Sequence, residues 1–530
     1  MAQQCALTNA DILDEILEWF DYEPTHGHPV VDTVSYTGYD TSEDDEAERR
    51  RNLANAARVC KAFHEPALRV LWRQLESLFP FFSLIGPSFA VAQENVEQPY
   101  GRPSRDLYHL PDDLSGQEWA RLHKYAPYVR ILYLWHPPAL IPHDLTPESW
   151  TSMKVLFGGG EPIFPNLRNL QWGAQWPETE LPAILHFVSP TVDQLLLGCS
   201  TGGRPSTVPW PAWRALLPGI VEKICNRATR LSHFTVYLGQ VDGSELLTTL
   251  SLCRPPTLRG LNLHGQYGTP PLTLSSFMSL ARIDDLENLI LYPSVKFASA
   301  PSLPPTLDLP RLRHLRIPMY RESCLPFRII ASARLQSLHI HHMEYSSFTY
   351  LQQTCATWAR SFPNLEVLNV YLTPSYPQDG IPTRSLLTTA SALLGLRNMR
   401  TFILHTMGSP LIIEDADLTA LSEAWPSLIE LYVSSMSTPD NFPGSIAGML
   451  GLLSLATNCP HLTALSINRI VLRPGGAAVL PEEPLNHPLK KLEVVRGIAP
   501  DAYHLLRGKL FPHLNLQLYE SELEDGSYYA

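Results

Sequence analysis

Three stretches concentrate the residue types that could do chemistry. "GCSTGGRPST" (198–207) sets Gly198 and Gly203 at the separation of a phosphate-cradling loop. Such a loop needs Lys for the phosphates and Ser or Thr for magnesium, but Arg204 and Pro205 stand in those places. The segment reads as an inserted turn. "HIHHM" (339–343) and "HGH" (26–28) concentrate imidazoles. Neither has cysteine partners or an H-x-x-x-H helix, the arrangements that close around zinc. Eight cysteines, at 5, 60, 199, 225, 253, 324, 355 and 459, form no C-x-x-C pair and no cluster, so they read as reduced thiols. No H-E-x-x-H helix or catalytic Cys/His context is present. The expectation is a chain that is not an enzyme and uses no cofactor or metal. In "TSEDDEAE", Thr41 and Ser42 precede acids that suit an acidophilic kinase.

Bulk properties narrow the classes further. Fifty-two acidic against 40 basic residues give a net charge of −12, which argues against binding a nucleic-acid backbone. The opening "MAQQCALTNADILDEIL" has no basic and then apolar region of the secretory kind. The most apolar run, "IAGMLGLLSLA" (446–456), falls short of the ~18 residues of a membrane span and fits a buried helix. No nucleic acid or membrane partner is expected, and the compartment is read as cytoplasm and/or nucleus. A length of 530 residues exceeds one compact core, and 48 prolines imply many short elements separated by turns.

The elements that position any site come from a repeat. One phrase recurs from residue 127 onward: apolar, two variable residues, apolar, variable, apolar, often after a proline. Examples are "PYVRILYL" (127–134), "PNLRNLQW" (165–172), "PTLRGLNL" (256–263), "PRLRHLRI" (310–317), "PNLEVLNV" (363–370) and "PHLTALSI" (460–467). The central apolar residues fall at 132, 170, 195, 234, 261, 289, 315, 338, 368, 402, 431, 465 and 492, a mean spacing of 30. A degenerate last copy is "PHLNLQL" (512–518). Most spacings lie in or close to the leucine-rich-repeat range of roughly 20–29 residues, and the longer ones imply inserted loops. Each phrase predicts a short strand with alternate residues turned inward. Helix-compatible stretches such as 276–283, 385–396 and 447–459 lie between phrases. Strand plus helix, repeated, predicts an α/β solenoid with parallel strands on a concave face and helices on the convex one. The Asn or Cys that commonly follows the last Leu is not maintained, so irregular loops are expected there.

The alternation also predicts which residues face outward. His339 and His341 flank Ile340 and share rows with Asn262, Ile290, Arg316, Asn369, Ile403, Tyr432 and Ser466, and with His264, Tyr292, Tyr371 and His405. A face mixing His, Tyr, Asn and Arg is the composition that protein-binding surfaces use. The candidate substrate-binding residues are therefore Asn262, His264, Arg316, His339, His341, Asn369, Tyr371, His405 and Tyr432.

The front of the chain differs. Ile12, Leu13, Ile16, Leu17 and Phe20 have helical spacing, with Thr8 and Asp11 placed like a capping box. Residues 21–48 read as a solvated loop ending in acids. The helical pattern resumes at Arg49 through Leu53, Ala57, Cys60 and Phe63, and Pro66 suits the start of a third helix carrying Leu68, Leu71, Trp72, Leu75 and Leu78. The expected organisation is a helical module over 1–85, a linker over 86–117 and about 13 repeats over 118–530.

The front residues resemble an F-box, the family pattern of I-x-x-E-I-x-x-x-F, then L-x-x-x-x-x-V-C-[KR]-x-F, then A-L-x-x-L-W. Ile12, Glu15, Ile16 and Phe20, then Leu53, Val59, Cys60, Lys61 and Phe63, then Ala67, Leu68, Leu71 and Trp72 supply it. Leu7 is followed by Thr8 where the family has proline, and the first two helices are 28 residues apart. The string from Ala57 to Ile85 is similar to fungal F-box/leucine-rich-repeat proteins. The resemblance implies a small three-helix F-box and a substrate receptor of an SCF (cullin-RING) ubiquitin ligase. Leu7, Ile12, Ile16, Leu17, Leu53, Val59, Cys60 and Phe63 would dock a Skp-family adaptor, and through it cullin, while the repeats hold a protein substrate. The competing reading is a repeat scaffold whose front helices merely cap the solenoid.

Overall fold

The computed structural model describes residues 13, 15–17, 43–96, 105–134, 143–158, 160–174, 177–199, 210–239, 241–265, 269–293, 295–296, 306–318, 329–345, 348–374, 384–406, 411–435, 447–467, 470, 480–481, 483–494 and 500–518. The chain divides into two compact units, Met1–Thr269 and Pro270–Ala530.

In the first unit residues 13 and 15–17 are helical, and α1 (Glu43–Val59) and α2 (Lys61–Leu71) follow. Helix α1 starts six residues before Arg49, within the stretch read as loop; its acidic first turn suits a helix N-terminus. Cys60 adopts an extended conformation (φ −160°, ψ 171°) and separates the helices. Helix α2 thus starts at Lys61, and Pro66 lies in its second turn rather than at its start. The proline cannot donate to the Ala62 carbonyl. Burial of Pro66, Ala67 and Leu68 compensates, because Ala67 and Leu68 close a core with Leu17, Leu53 and Ala57.

The pattern read as helix through Leu78 is also corrected. Helix α2 stops at Leu71, and β1 (Gln74–Leu75) pairs in parallel with β2 (Ile131–Leu134). The run continues through β3 (Asn169–Ala174), β4 (Gln194–Cys199), β5 (His233–Gly239) and β6 (Gly260–Gly265), each parallel to the last. The stretch 86–117 is more than a linker. Residues Ala90–Val96 pair antiparallel with Arg105–His109, which runs parallel to His143–Leu145. Ser115 then caps α3 (Gly116–Tyr125) in a capping box with Glu118. Hydrogen bonds from the Ser115 and Ser88 hydroxyls hold the Glu118 carboxyl down at about 2. Helices α4 (Pro147–Leu156), α5 (Pro177–Ala183), α6 (Trp210–Arg227) and α7 (Gly243–Cys253) pack in succession.

In the second unit the parallel run is β7 (Asn288–Leu291), β8 (His314–Arg316), β9 (Ser337–Tyr345), β10 (Val367–Pro374), β11 (Thr401–Thr406), β12 (Glu430–Ser435), β13 (Ala464–Ile467), β14 (Lys491–Val494) and β15 (Asn515–Leu518). The connections include α8 (Leu274–Ser279), α9 (Phe348–Ser361), α10 (Leu386–Ala390), α11 (Asp415–Ala424) and α12 (Met449–Asn458). The three stretches expected to be helical between phrases are so. Each unit is thus a mixed α/β, repeat-like array with a parallel sheet.

Register explains why the phrase recurs. Within each unit the central apolar residues lie opposite one another, as in Leu132↔Leu170↔Leu195↔Phe234↔Leu261 and Leu289↔Leu315↔Leu338↔Leu368↔Phe402. None of the thirteen is more than 2% exposed, so one polar substitution in this row would bury an unpaired group. A carbonyl two residues earlier accepts two N–H groups from the next strand. Arg130 accepts from Arg168 and Asn169, and Arg400 from Ile429 and Glu430. This fixes where each strand begins.

Two carboxylates, one buried and one half-buried, join neighbouring helices. Asp417, 2% exposed, accepts hydrogen bonds from the Ser385 hydroxyl (2.5 Å), the Leu387 N–H (2.9 Å) and the Glu414 N–H (2.7 Å). Asp415 accepts from the N–H groups of Gly448 (2.6 Å) and Gly451 (3.0 Å) at the start of α12. A Cβ on Gly448 would sit 2.4 Å from the Asp415 carboxylate, so any other residue there would displace that side chain.

Candidate protein-binding surfaces

The first surface is the helix pair α1–α2. Its interior is Leu17, Leu53, Ala57, Ala67 and Leu68, with Leu71, Trp72, Tyr125 and Tyr128 packed against it. Trp72 and Tyr125 have ring centroids 4.8 Å apart, and the Tyr128 hydroxyl donates to the Glu65 carboxylate. Desolvation, with that hydrogen bond, pushes the Tyr128 phenol up to about 12. The pair is thereby seated on the segment that feeds β2.

The candidate adaptor residues divide by exposure. Leu17 and Leu53 are buried at 3% and 4%, so they build the module and offer no surface of their own. Val59 is 70% exposed, Ile16 is 45% exposed, Cys60 is exposed and Phe63 is half-buried. Leu7 and Ile12 lie outside the described residues, as do the segment Thr8–Asp11, the residues Phe20, Thr41 and Ser42, and "HGH".

The second surface is the outer face of the strands, where the alternation puts mostly half-buried side chains between the buried ones; Asn262 and Ser466, at 4% and 3% exposed, are buried. In the second unit, register aligns Ile290, Arg316, His339, Asn369, Ile403, Tyr432, Ser466, Glu493 and Gln517 in one row. From Arg316 to Glu493 is six strand steps, roughly 29 Å, the length of about nine residues of extended chain. In the next row rings meet: Tyr292 lies tilted against His341 and Tyr371 stacks on His405, each at 4.7 Å between centroids. The Arg316 guanidinium lies 5.3 Å from the Tyr292 ring centre, and its buried Nε has no hydrogen-bond partner. The Asn369 Oδ1 is likewise buried without a partner. His405 shares a 2.7 Å hydrogen bond with the Ser434 hydroxyl, and burial lowers its pKa below the ordinary imidazole value. Burial raises the Tyr432 phenol, partly offset by Lys491, whose Nζ lies 5.8 Å from that ring.

Asn262 and His264 belong to the first unit, where Asn262 Nδ2 donates to His264 Nε2 at 2.8 Å and His264 stacks on Tyr237 at 4.3 Å. The other seven candidates belong to the second unit. The sequence reading missed Lys491 and Glu493, which form a 2.6 Å ion pair at the far end of the row. Their signal was their position on either side of Leu492. Of "GCSTGGRPST", Gly198 and Cys199 end β4 and residues 200–207 lie outside the described residues.

Among the described residues no group of three His, Cys, Asp or Glu is disposed to hold a metal, and no described helix is long and apolar enough to cross a membrane. The chemistry on offer is recognition through ring faces, amides and a few charges.

No protein-family model matches the chain, and no curated protein matches it. Two solved structures are similar to it in part. A chain from a crystal structure of a Rad7 and Elc1 complex in yeast matches at 13% identity, covering 70% of this chain and 89% of that one, with a TM-score of 0.32. A protein from Bacteroides fragilis matches at 12% identity and a TM-score of 0.26, covering 50% of this chain and 65% of that one. This chain therefore spans just under two thirds of the Bacteroides protein.

Proposed function

We propose that the protein is a non-enzymatic substrate-recognition adaptor of an SCF-type ubiquitin ligase. Its N-terminal helices form an F-box that docks a Skp-family adaptor, and its leucine-rich-repeat array holds a protein substrate. The observation that carries this reading is the exposure of Val59 and Ile16 on a module whose core is already closed by Leu17, Leu53 and Ala67. These apolar side chains are not needed for that core and are available to a partner. The mechanism is proximity, in which the adaptor raises the effective concentration of a target beside a ubiquitin-transferring partner.

A second reading has its own support. Strand β1 extends the parallel run, and Trp72 packs on Tyr125, so the helices also cap the array. Co-purification with the Skp-family adaptor separates the two. Capture by the wild type and loss in Val59→Asp supports the ligase reading; no capture by the wild type leaves the cap.

A further inference from the structure

The position just before each strand carries a third set of side chains, at the edge of the parallel sheet. In the second unit Gln336, Glu366 and Arg400 stand immediately before β9, β10 and β11. The Gln336 carbonyl accepts from the Glu366 and Val367 N–H groups, and the Glu366 carbonyl from those of Arg400 and Thr401. Their side chains meet as well. Gln336 Nε2 donates to Glu366 Oε1 at 3.1 Å, and Arg400 pairs with Glu366 at 3.8 Å. Side chains at this position on adjacent rungs therefore reach one another, and in this set the charges offset.

In the first unit the same position holds three arginines in succession. Arg73, Arg130 and Arg168 stand immediately before β1, β2 and β3. The Arg73 carbonyl accepts from the Arg130 and Ile131 N–H groups at 2.8 and 3.0 Å. The Arg130 carbonyl accepts from those of Arg168 and Asn169 at 2.7 and 3.0 Å, so the three occupy consecutive rungs. Arg69, in the last turn of α2, adds a fourth positive charge. Arg69 and Arg73 have contacts of their own, Arg69 with Glu65. Arg168 is exposed and Arg130 half-buried, and among the described residues neither guanidinium has a hydrogen bond or ion pair. Burial first, then Arg168, Arg73 and Arg69, hold the Arg130 pKa below its ordinary value, and no described carboxylate counters them. Asp193, before β4, takes the next rung and ends the run.

Like charges set side by side without their acids repel, and a bound anion relieves that repulsion. The run covers two rung steps, roughly 10 Å, which is room for two or three carboxylates. A nucleic-acid backbone gains its affinity from many phosphate contacts, and a chain of net charge −12 repels so long a polyanion. A short acidic stretch of protein suits both limits. We propose that Arg130 and Arg168, flanked by Arg73 and Arg69, form a docking site for an acidic peptide segment of a partner protein. Each guanidinium takes a Glu or Asp carboxylate on its two-pronged edge. The proposal goes beyond the ligase reading and does not depend on it.

Fluorescence anisotropy on the full chain at low salt tests it. The probes are a short oligoglutamate peptide carrying a neutral dye, its oligoglutamine counterpart, and a single-stranded oligothymidylate of the same charge as the first. The glutamate peptide should bind saturably, and the other two at least tenfold more weakly. Arg130→Gln and Arg168→Gln keep the backbone carbonyls that set the register, and each should weaken the glutamate peptide at least fivefold. Arg400→Gln, in the offset set of the second unit, should leave that affinity within twofold. Absence of saturable glutamate-peptide binding to the wild type, or equal binding of the glutamine peptide, overturns the proposal and needs no variant. Oligothymidylate binding as tightly reassigns the patch to nucleic acid and overturns it too. So does an unchanged affinity in both arginine variants, their fold checked by circular dichroism, or an equal loss in Arg400→Gln.

Discussion

Cys60 stands at the break between α1 and α2 with its thiol exposed, whereas Cys225, Cys355 and Cys459 are buried. Burial pushes each of those three thiols up to about 12, so they carry almost no thiolate at neutral pH. Alkylation at pH 7.5, read by peptide mapping, should modify Cys60 first among these four, and a bound adaptor should protect it. Equal labelling of Cys60 with and without adaptor would remove it from the interface. Arg254 is the one described non-glycine residue in the left-handed region, with φ 45° at the end of α7. Arg254→Gly should therefore raise stability by about 1 kcal/mol in chemical denaturation. At this scale the sequence was informative wherever alternation decides orientation, as it did for His339 and Tyr432. It was silent where a residue has two plausible settings: Leu53 and Val59 lie six positions apart in one pattern, yet one is core and the other surface.

At the scale of elements, stability should concentrate in the carboxylates that join adjacent helices. Asp417→Ala leaves three donors without their acceptor, and should cost about 3 kcal/mol or more by denaturant unfolding, against about 0.5 kcal/mol or less for an exposed acid. A loss below about 1 kcal/mol would mean that water replaces the carboxylate. The strands were legible because each phrase pairs with a copy of itself. Strand β1 was not, since its Trp72-x-x-Leu75-x-Ser77 ends on serine and only pairing with β2 reveals it. The position of Pro66 was misleading for a related reason: burial of the adjoining Ala67 and Leu68 with Leu17 and Leu53 outweighs the local preference of proline for a first turn.

For the whole molecule, acid sensitivity follows from the histidines. Burial lowers the pKa of His186, His314, His405 and His487 below the ordinary value of 6.5. His487 Nε2 donates to the Cys459 carbonyl at 2.8 Å while Nδ1 accepts from the Leu489 N–H at 3.2 Å, so a second proton would set two donors against each other. The unfolded chain then binds protons first as pH falls. Stability should hold above about pH 7 and decline through 6.5 and below. Thermal unfolding at pH 7.5, 6.5 and 5.5 should show this, with a shallower decline in His487→Gln; a flat wild-type profile would contradict it. Architecture was the most legible level, because thirteen copies of one phrase leave few alternatives to a parallel array. The division at Thr269 was not, since no shift in composition marks it.

The central claim is that the N-terminal helices dock a ligase adaptor. Its most direct test is the affinity of the purified full chain for a Skp-family adaptor by titration calorimetry, with Val59→Asp alongside and its fold checked by circular dichroism. The expected result is stoichiometric binding by the wild type and at least tenfold weaker binding by a folded Val59→Asp variant. No binding by the wild type, or equal binding by both, would contradict the account.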